Sequence, residues 1–178
     1  DVFHFSGHGS ANRGNPLEST LWCAGDERLT VRDLLAQRLP DKRLAVLSAC
    51  ETGIPGAELP DESVNLPAAL VQAGFAGAVA SLWSVYDSST AMLVVRFYHH
   101  WRAEGLEPRY ALRLAQRWLR DTTNGEKADF FGQFVPDLRQ KMAGEASAEF
   151  ANELDDLDPD GRAFAHPVHW AAFTLTGA

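Results

Sequence analysis

Arg43-Leu44-Ala45-Val46-Leu47-Ser48 is a short apolar run that leads straight into Ala49-Cys50-Glu51-Thr52-Gly53. A run without inside–outside alternation suits a strand buried on both faces, as in a parallel sheet covered by helices. Gly77-Ala78-Val79-Ala80-Ser81-Leu82-Trp83 has the same character, and Val2-Phe3-His4-Phe5 is an earlier strand candidate. Helical patterns separate these runs. Thr30 caps one with Val31, Leu34, Leu35 and Leu39 on one face, and Pro40 stops it. Residues 66–73 form a second, with Pro67 tolerated in its first turn and Gly74 at its end. Ser88 or Ser89 caps a third, apolar through Met92, Leu93, Val95, Phe97 and Tyr98 and ending near Gly105. A fourth carries Tyr110, Leu112, Leu114, Ala115, Trp118 and Leu119, and residues 130–154 read as a further helix. A short strand is expected at residues 20–23 and a final one at 169–175. Strands alternating with helices predict a three-layer α/β/α arrangement around a mainly parallel sheet.

The 178 residues suit one domain, and no internal repeat divides them. The chain carries 16 basic and 24 acidic residues, a formal net charge of −8, which argues against a phosphate-binding face. The basic residues show no cluster in this reading, so no direct nucleic-acid contact is expected. The acids Glu153, Asp155, Asp156, Asp158 and Asp160 read as a solvated loop. Two cysteines, Cys23 and Cys50, imply no disulfide framework and fit a reducing, cytoplasmic setting. No apolar run reaches the roughly 20 residues of a membrane span. The chain opens directly in a strand-like stretch, which reads as the start of a portion of a larger protein.

Reactive groups in an open α/β sheet gather at the carboxyl ends of its strands. The first strand ends at Ser6-Gly7-His8-Gly9, and the strand over 43–48 ends at Cys50. If these strands are neighbours, an imidazole and a thiol face one cleft. A nearby base raises the thiolate fraction of a cysteine, and an imidazole also protonates a leaving amine near neutral pH. The amides of Gly9 and Cys50 are candidate oxyanion donors, each worth about 3–4 kcal/mol when removed.

His8 stands roughly 40 residues before Cys50, and the caspase pattern places its His about 50 residues before an Ala-Cys motif. Four segments together resemble the CHAT domain, a caspase-like, HetF-associated module found with tetratricopeptide repeats and related to separase. They are His4-Phe5-Ser6-Gly7-His8-Gly9, Leu47-Ser48-Ala49-Cys50-Glu51-Thr52-Gly53, Ala80-Ser81-Leu82-Trp83-Ser84-Val85-Tyr86-Asp87 and His166-Pro167-Val168-His169-Trp170-Ala171-Ala172-Phe173. The resemblance covers nearly the whole chain. It implies a caspase-like α/β/α sandwich, a His8–Cys50 dyad in a cysteine endopeptidase, a protein substrate, and no metal or cofactor. It also implies that residues 1–178 are the catalytic part of a CHAT domain whose N-terminal portion is missing. CHAT peptidases often sit beside repeat modules. In some bacterial defence systems a sensor or an RNA-guided effector complex switches their proteolysis on, so such a partner is expected here. Residues 54–65, a loop in this reading, are a candidate element for that switch.

Ser48 stands where metacaspases commonly have an Asp, so their basic P1 preference does not transfer. Separases resemble the chain at Asp87, an acid just after a Leu-Trp strand end that contributes to an Arg pocket. Asp87 is read either as a specificity residue or as a helix cap. Glu51 either meets a basic P1 side chain or holds its loop. His4 alternates with Phe3 and Phe5 and reads as structural on the opposite face; Cys23, beside Trp22, reads as core. His99 and His100 are read as surface or packing residues because no Cys or carboxylate stands at ligand spacing. His166 and His169 are not read as a ligand pair, and Trp83, Trp101, Trp118 and Trp170 read as core. The competing reading of the whole chain is an inactive caspase-like assembly or binding module.

Overall fold

The computed structural model describes residues 1–49, 53, 64–132, 153–154 and 156–177. Its central sheet runs β1 (Val2–Ser6), β5 (Leu44–Ser48), β6 (Gly77–Ser81) and β7 (Phe173–Gly177), in that spatial order. The first three strands are parallel, and β7 closes the sheet antiparallel to β6. Leu44, Ala45, Val46 and Leu47 are all fully buried, as the unalternating run requires. Ala45, Leu47, Ala78 and Ala80 face α1 (Val31–Leu35) and α2 (Leu66–Ala73), with Phe3 and Phe5 packed against them. Leu44, Val46, Val79 and Phe173 face α3 (Asp87–Tyr98) and α4 (Pro108–Asp121). Helices therefore cover both faces of a mostly parallel sheet, the expected caspase-like sandwich.

Local chemistry explains the boundaries. Thr30 caps α1 through a reciprocal box with Asp33: Asp33 N donates to Thr30 Oγ1 at 3.2 Å, and Thr30 N to Asp33 Oδ2 at 3.0 Å. Thr30 Oγ1 also donates to Asp33 Oδ2 at 2.6 Å, and this bond first, then the one from Thr30 N, holds the Asp33 carboxyl below its usual range. The helix stops at Leu35, short of the expected Leu39, because Leu39 N is drawn to the end of α2 and donates to Ala73 O at 2.7 Å. Asn65 Oδ1 accepts from Ala68 N at 2.9 Å, and α2 ends at Gly74 as expected, with φ +126°.

Two further expectations needed correction. Residues 169–175 are not one strand: Pro167–Trp170 is a short helix, here α6, and the strand starts at Phe173. His166 Nδ1 accepts from Val168 N at 3.3 Å and Pro167 sits in the first turn, so the local start signal overrides the β-like composition. The strand over 20–23 also has unforeseen partners. β2 (Gly9–Ser10), β3 (Thr20–Trp22) and β4 (Arg28–Thr30) make a small antiparallel sheet. Strands of two or three residues are too short to display a period. α5 (Asn124–Gly132) covers the start of the helix expected over 130–154; residues 133–152 of it lie outside the described residues, as do 54–63 of the expected loop.

Lys127 on α5 is fully buried and caps the end of α4. Its Nζ donates to Thr122 O at 2.6 Å and Thr122 Oγ1 at 3.0 Å, and it lies 5.6 Å from the Trp118 ring centroid. Burial pushes its pKa down to about 8. A lysine depressed in the folded state is penalised below that value, and the penalty lifts as pH rises toward the unfolded pKa. Wild type is therefore expected to gain stability relative to Lys127→Met between about pH 8 and 10.5, with a limiting slope near 1.4 kcal/mol per pH unit. Parallel urea titrations across that range check it; a pH-independent difference contradicts it.

Candidate active site

β1 and β5 are parallel neighbours in register, with Ser6 opposite Ser48. His8 lies two residues beyond Ser6, and Cys50 two residues beyond Ser48. Neighbouring strands stand about 4.8 Å apart, so the two chain exits leave the same end of the sheet side by side. Cys50 and Glu51 lie outside the described residues, but both flanks of the 50–52 segment are fixed. Ser81, fully buried at the end of β6, donates from Oγ to Ala49 O at 2.6 Å. Its own carbonyl accepts from Gly53 N at 2.7 Å. A Cβ at Gly53 would stand 2.9 Å from Ser81 O, so that approach excludes a side chain. Sequence reading missed Ser81, because a serine at the end of an apolar strand carries no signal of a two-sided clamp.

His8 is exposed, and its imidazole has no hydrogen-bond partner among the described residues. Its carbonyl accepts from Trp22 N at 2.9 Å, and Gly9 then faces Leu21. In an antiparallel ladder that makes Gly9 the non-hydrogen-bonded position, so its N–H points away from β3. His4 lies on the face opposite Phe3 and Phe5. Its Nε2 is 3.0 Å from Ser48 Oγ, and its ring is 5.5 Å from that of Tyr98. It joins β1, β5 and α3, a structural role as expected.

Asp87 is exposed and is the first residue of α3, within its first turn and not its cap; the N-cap is Tyr86, which offers no side-chain bond. Neither expected serine caps the helix: Ser89 Oγ donates back to Tyr86 O at 3.1 Å, and Ser88 Oγ bonds Glu153. A carboxylate in a first turn still interacts favourably with the helix dipole. Tyr86 is 60% exposed, and its ring lies 5.2 Å from that of His169 at a tilt of 41°. Burial, reinforced by the His166 charge, lowers the pKa of His169. Cys23 is exposed and not core, because β3 ends at Trp22 and the chain turns outward there. Trp101 is buried, and Trp83, Trp118 and Trp170 pack against the core.

Two charged groupings run against the sequence reading. Arg109, Arg113, Arg117 and Arg120 align at helical spacing along α4, and the last three line a cavity of about 350 Å³ with Gln116 and Trp170. A basic cluster therefore exists. A carboxylate also stands beside the histidine pair, since Glu104 contacts both His99 and His100.

A mostly parallel sheet between helical layers, with a histidine strand beside a cysteine strand, defines a caspase-like α/β protein. The CHAT domain model matches residues 1–178, the whole chain, and the chain belongs to that family, which is caspase-like and generally peptidase-related. No curated relative matches the chain. Among the described residues, no helix is long and apolar enough to cross a membrane.

Proposed function

We propose that this chain is a cysteine endopeptidase in which Cys50 attacks a peptide carbonyl and His8 moves the proton. The observation that carries this reading is the parallel register of β1 and β5, which starts both catalytic loops from adjacent positions. His8 takes the Cys50 thiol proton, Sγ bonds to the carbonyl carbon, and the oxyanion is held by the Gly9 and Cys50 amides. Collapse breaks the C–N bond as His8 protonates the leaving amine. Water, deprotonated by His8, then hydrolyses the thioester and releases the acid. Residues of this chain suffice, and no cofactor enters any step.

Asp87 and Glu51 are proposed to meet the P1 side chain, Asp87 as an exposed acid past the end of β6. Control by a repeat, sensor or RNA-guided partner, and a reducing cytoplasmic setting that preserves the thiol, belong to the same proposal. A panel of fluorogenic peptides varied at P1 tests it. Turnover is expected in wild type and absent in Cys50→Ala, with any Arg or Lys preference weakened in Asp87→Ala. Full turnover in Cys50→Ala contradicts the reading.

A further inference from the structure

The turn between α3 and α4 has a geometry that the peptidase reading does not use. In an α-helix a side chain meets the residues three and four before it, so Glu104 would reach His100 but not His99. Here His99–Ala103 forms a wider π turn, with Glu104 N donating to His99 O at 3.2 Å. That widening brings both imidazoles onto one carboxylate. His99 Nδ1 is 3.0 Å from Glu104 Oε1, and His100 Nδ1 is 2.9 Å from Glu104 Oε2. One ligand atom from each residue lies within 4.8 Å of the others. Single-turn π segments recur at functional sites.

We propose that His99, His100 and Glu104 form a three-ligand site for a borderline divalent cation of the Zn²⁺ class. Bonds of about 2.1 Å require ligand-to-ligand edges of about 3.0–3.4 Å, and the two nitrogen–oxygen separations already stand near that range. Imidazole with carboxylate suits Zn²⁺, Co²⁺ or Ni²⁺ better than Ca²⁺ or Mg²⁺, which take oxygen ligands. The surroundings are wet on one side only. The His100 side chain is 8% exposed and that of Glu104 41%, leaving an open face where water completes the coordination. Phe130 walls the other side, its ring 5.7 Å from that of His99. A cation here would clip the π turn where α3 hands over to α4. It is a structural site, independent of the His8–Cys50 chemistry.

One neighbour opposes the cation. Arg96, its guanidinium 4.6 Å from the Phe130 ring centroid, places Nη1 3.5 Å from His99 Nδ1. Its positive charge weakens metal binding, which supplies a signature that an ion-pair cluster alone does not have.

The test uses the whole chain with Cys23→Ser and Cys50→Ala, so that no thiol takes the metal. Calorimetric titration with Zn²⁺, and the visible spectrum on adding Co²⁺, are expected to show one equivalent bound. Glu104→Gln and His100→Gln should each weaken binding tenfold or more, while Arg96→Leu tightens it. Saturating Zn²⁺ should raise the melting temperature of the parent and not that of Glu104→Gln, since a ligand that binds only the folded state stabilises it. If a substitution disturbs folding, the same comparison in His99→Gln, on a partly exposed residue, reads the site. No binding, binding unchanged in Glu104→Gln, or binding lost only in His166→Ala or His169→Ala overturns the proposal.

Discussion

Replacing Cys50 by Ala, or His8 by Ala, is expected to lower kcat/KM by at least about three orders of magnitude while the fold persists. Residues that act as a catalytic unit give single losses nearly as large as their combined loss. The double variant should therefore be scarcely worse than either single one; independent, additive losses would mean that the two residues do not share a step. Loss of activity in His8→Ala is not expected to come from unfolding. The imidazole is exposed, and what β3 uses is the His8 carbonyl, which any residue supplies. Circular dichroism and melting temperature close to wild type check that point. A Cys50→Ala protein that still cleaves would overturn the role given to Cys50, whereas a wild type that cleaves nothing would favour the alternative, an inactive caspase-like binding module.

The largest stability effect is expected at Gly74. Its φ of +126° is a region that side chains rarely adopt, and a Cβ there would stand 2.3 Å from Leu39 O and 2.7 Å from Leu39 C. Both are backbone atoms, held in place by the Leu39 N to Ala73 O bond, so relief requires moving the connection between α1 and β5. Gly74→Ala should destabilise by about 3 kcal/mol or more, combining backbone strain with overpacking. Gly25 supplies the control, because its φ is +68° but nothing lies within 4 Å of its added Cβ. Gly25→Ala should cost only the conformational term, about 1–2 kcal/mol. Equal losses at the two positions, read by urea denaturation, would show that contact with Leu39 contributes nothing.

Much of this architecture is legible in residue order. The runs at 44–48 and 77–81 lie in β5 and β6 because burial on both faces leaves no room for polar alternation. α2 has the expected bounds because Pro67 and Gly74 act locally. What escaped was set by contacts between distant segments. Leu39 leaves its helix for Ala73, Ser81 reaches Ala49 across the sheet, and Lys127 folds under the end of α4. Glu104 was overlooked although it stands four residues beyond His100, an ordinary helical pairing; only its contact with His99, five residues before it, needs the π turn. Cys23 was misjudged because neighbouring composition does not reveal where a three-residue strand stops.

Cys23 also serves the decisive measurement, since its exposure makes it an accessible thiol in the same molecule. The central claim is that the Cys50 thiol and the His8 imidazole act on one carbonyl. Iodoacetamide labelling rates of both cysteines, followed by mass spectrometry from pH 5 to 10, read it directly. Cys50 should label faster than Cys23 at pH 7, with an apparent pKa well below the ordinary thiol value near 8.5, and should return toward that value in His8→Ala. A Cys50 profile that matches Cys23 and ignores the loss of His8 would contradict the account.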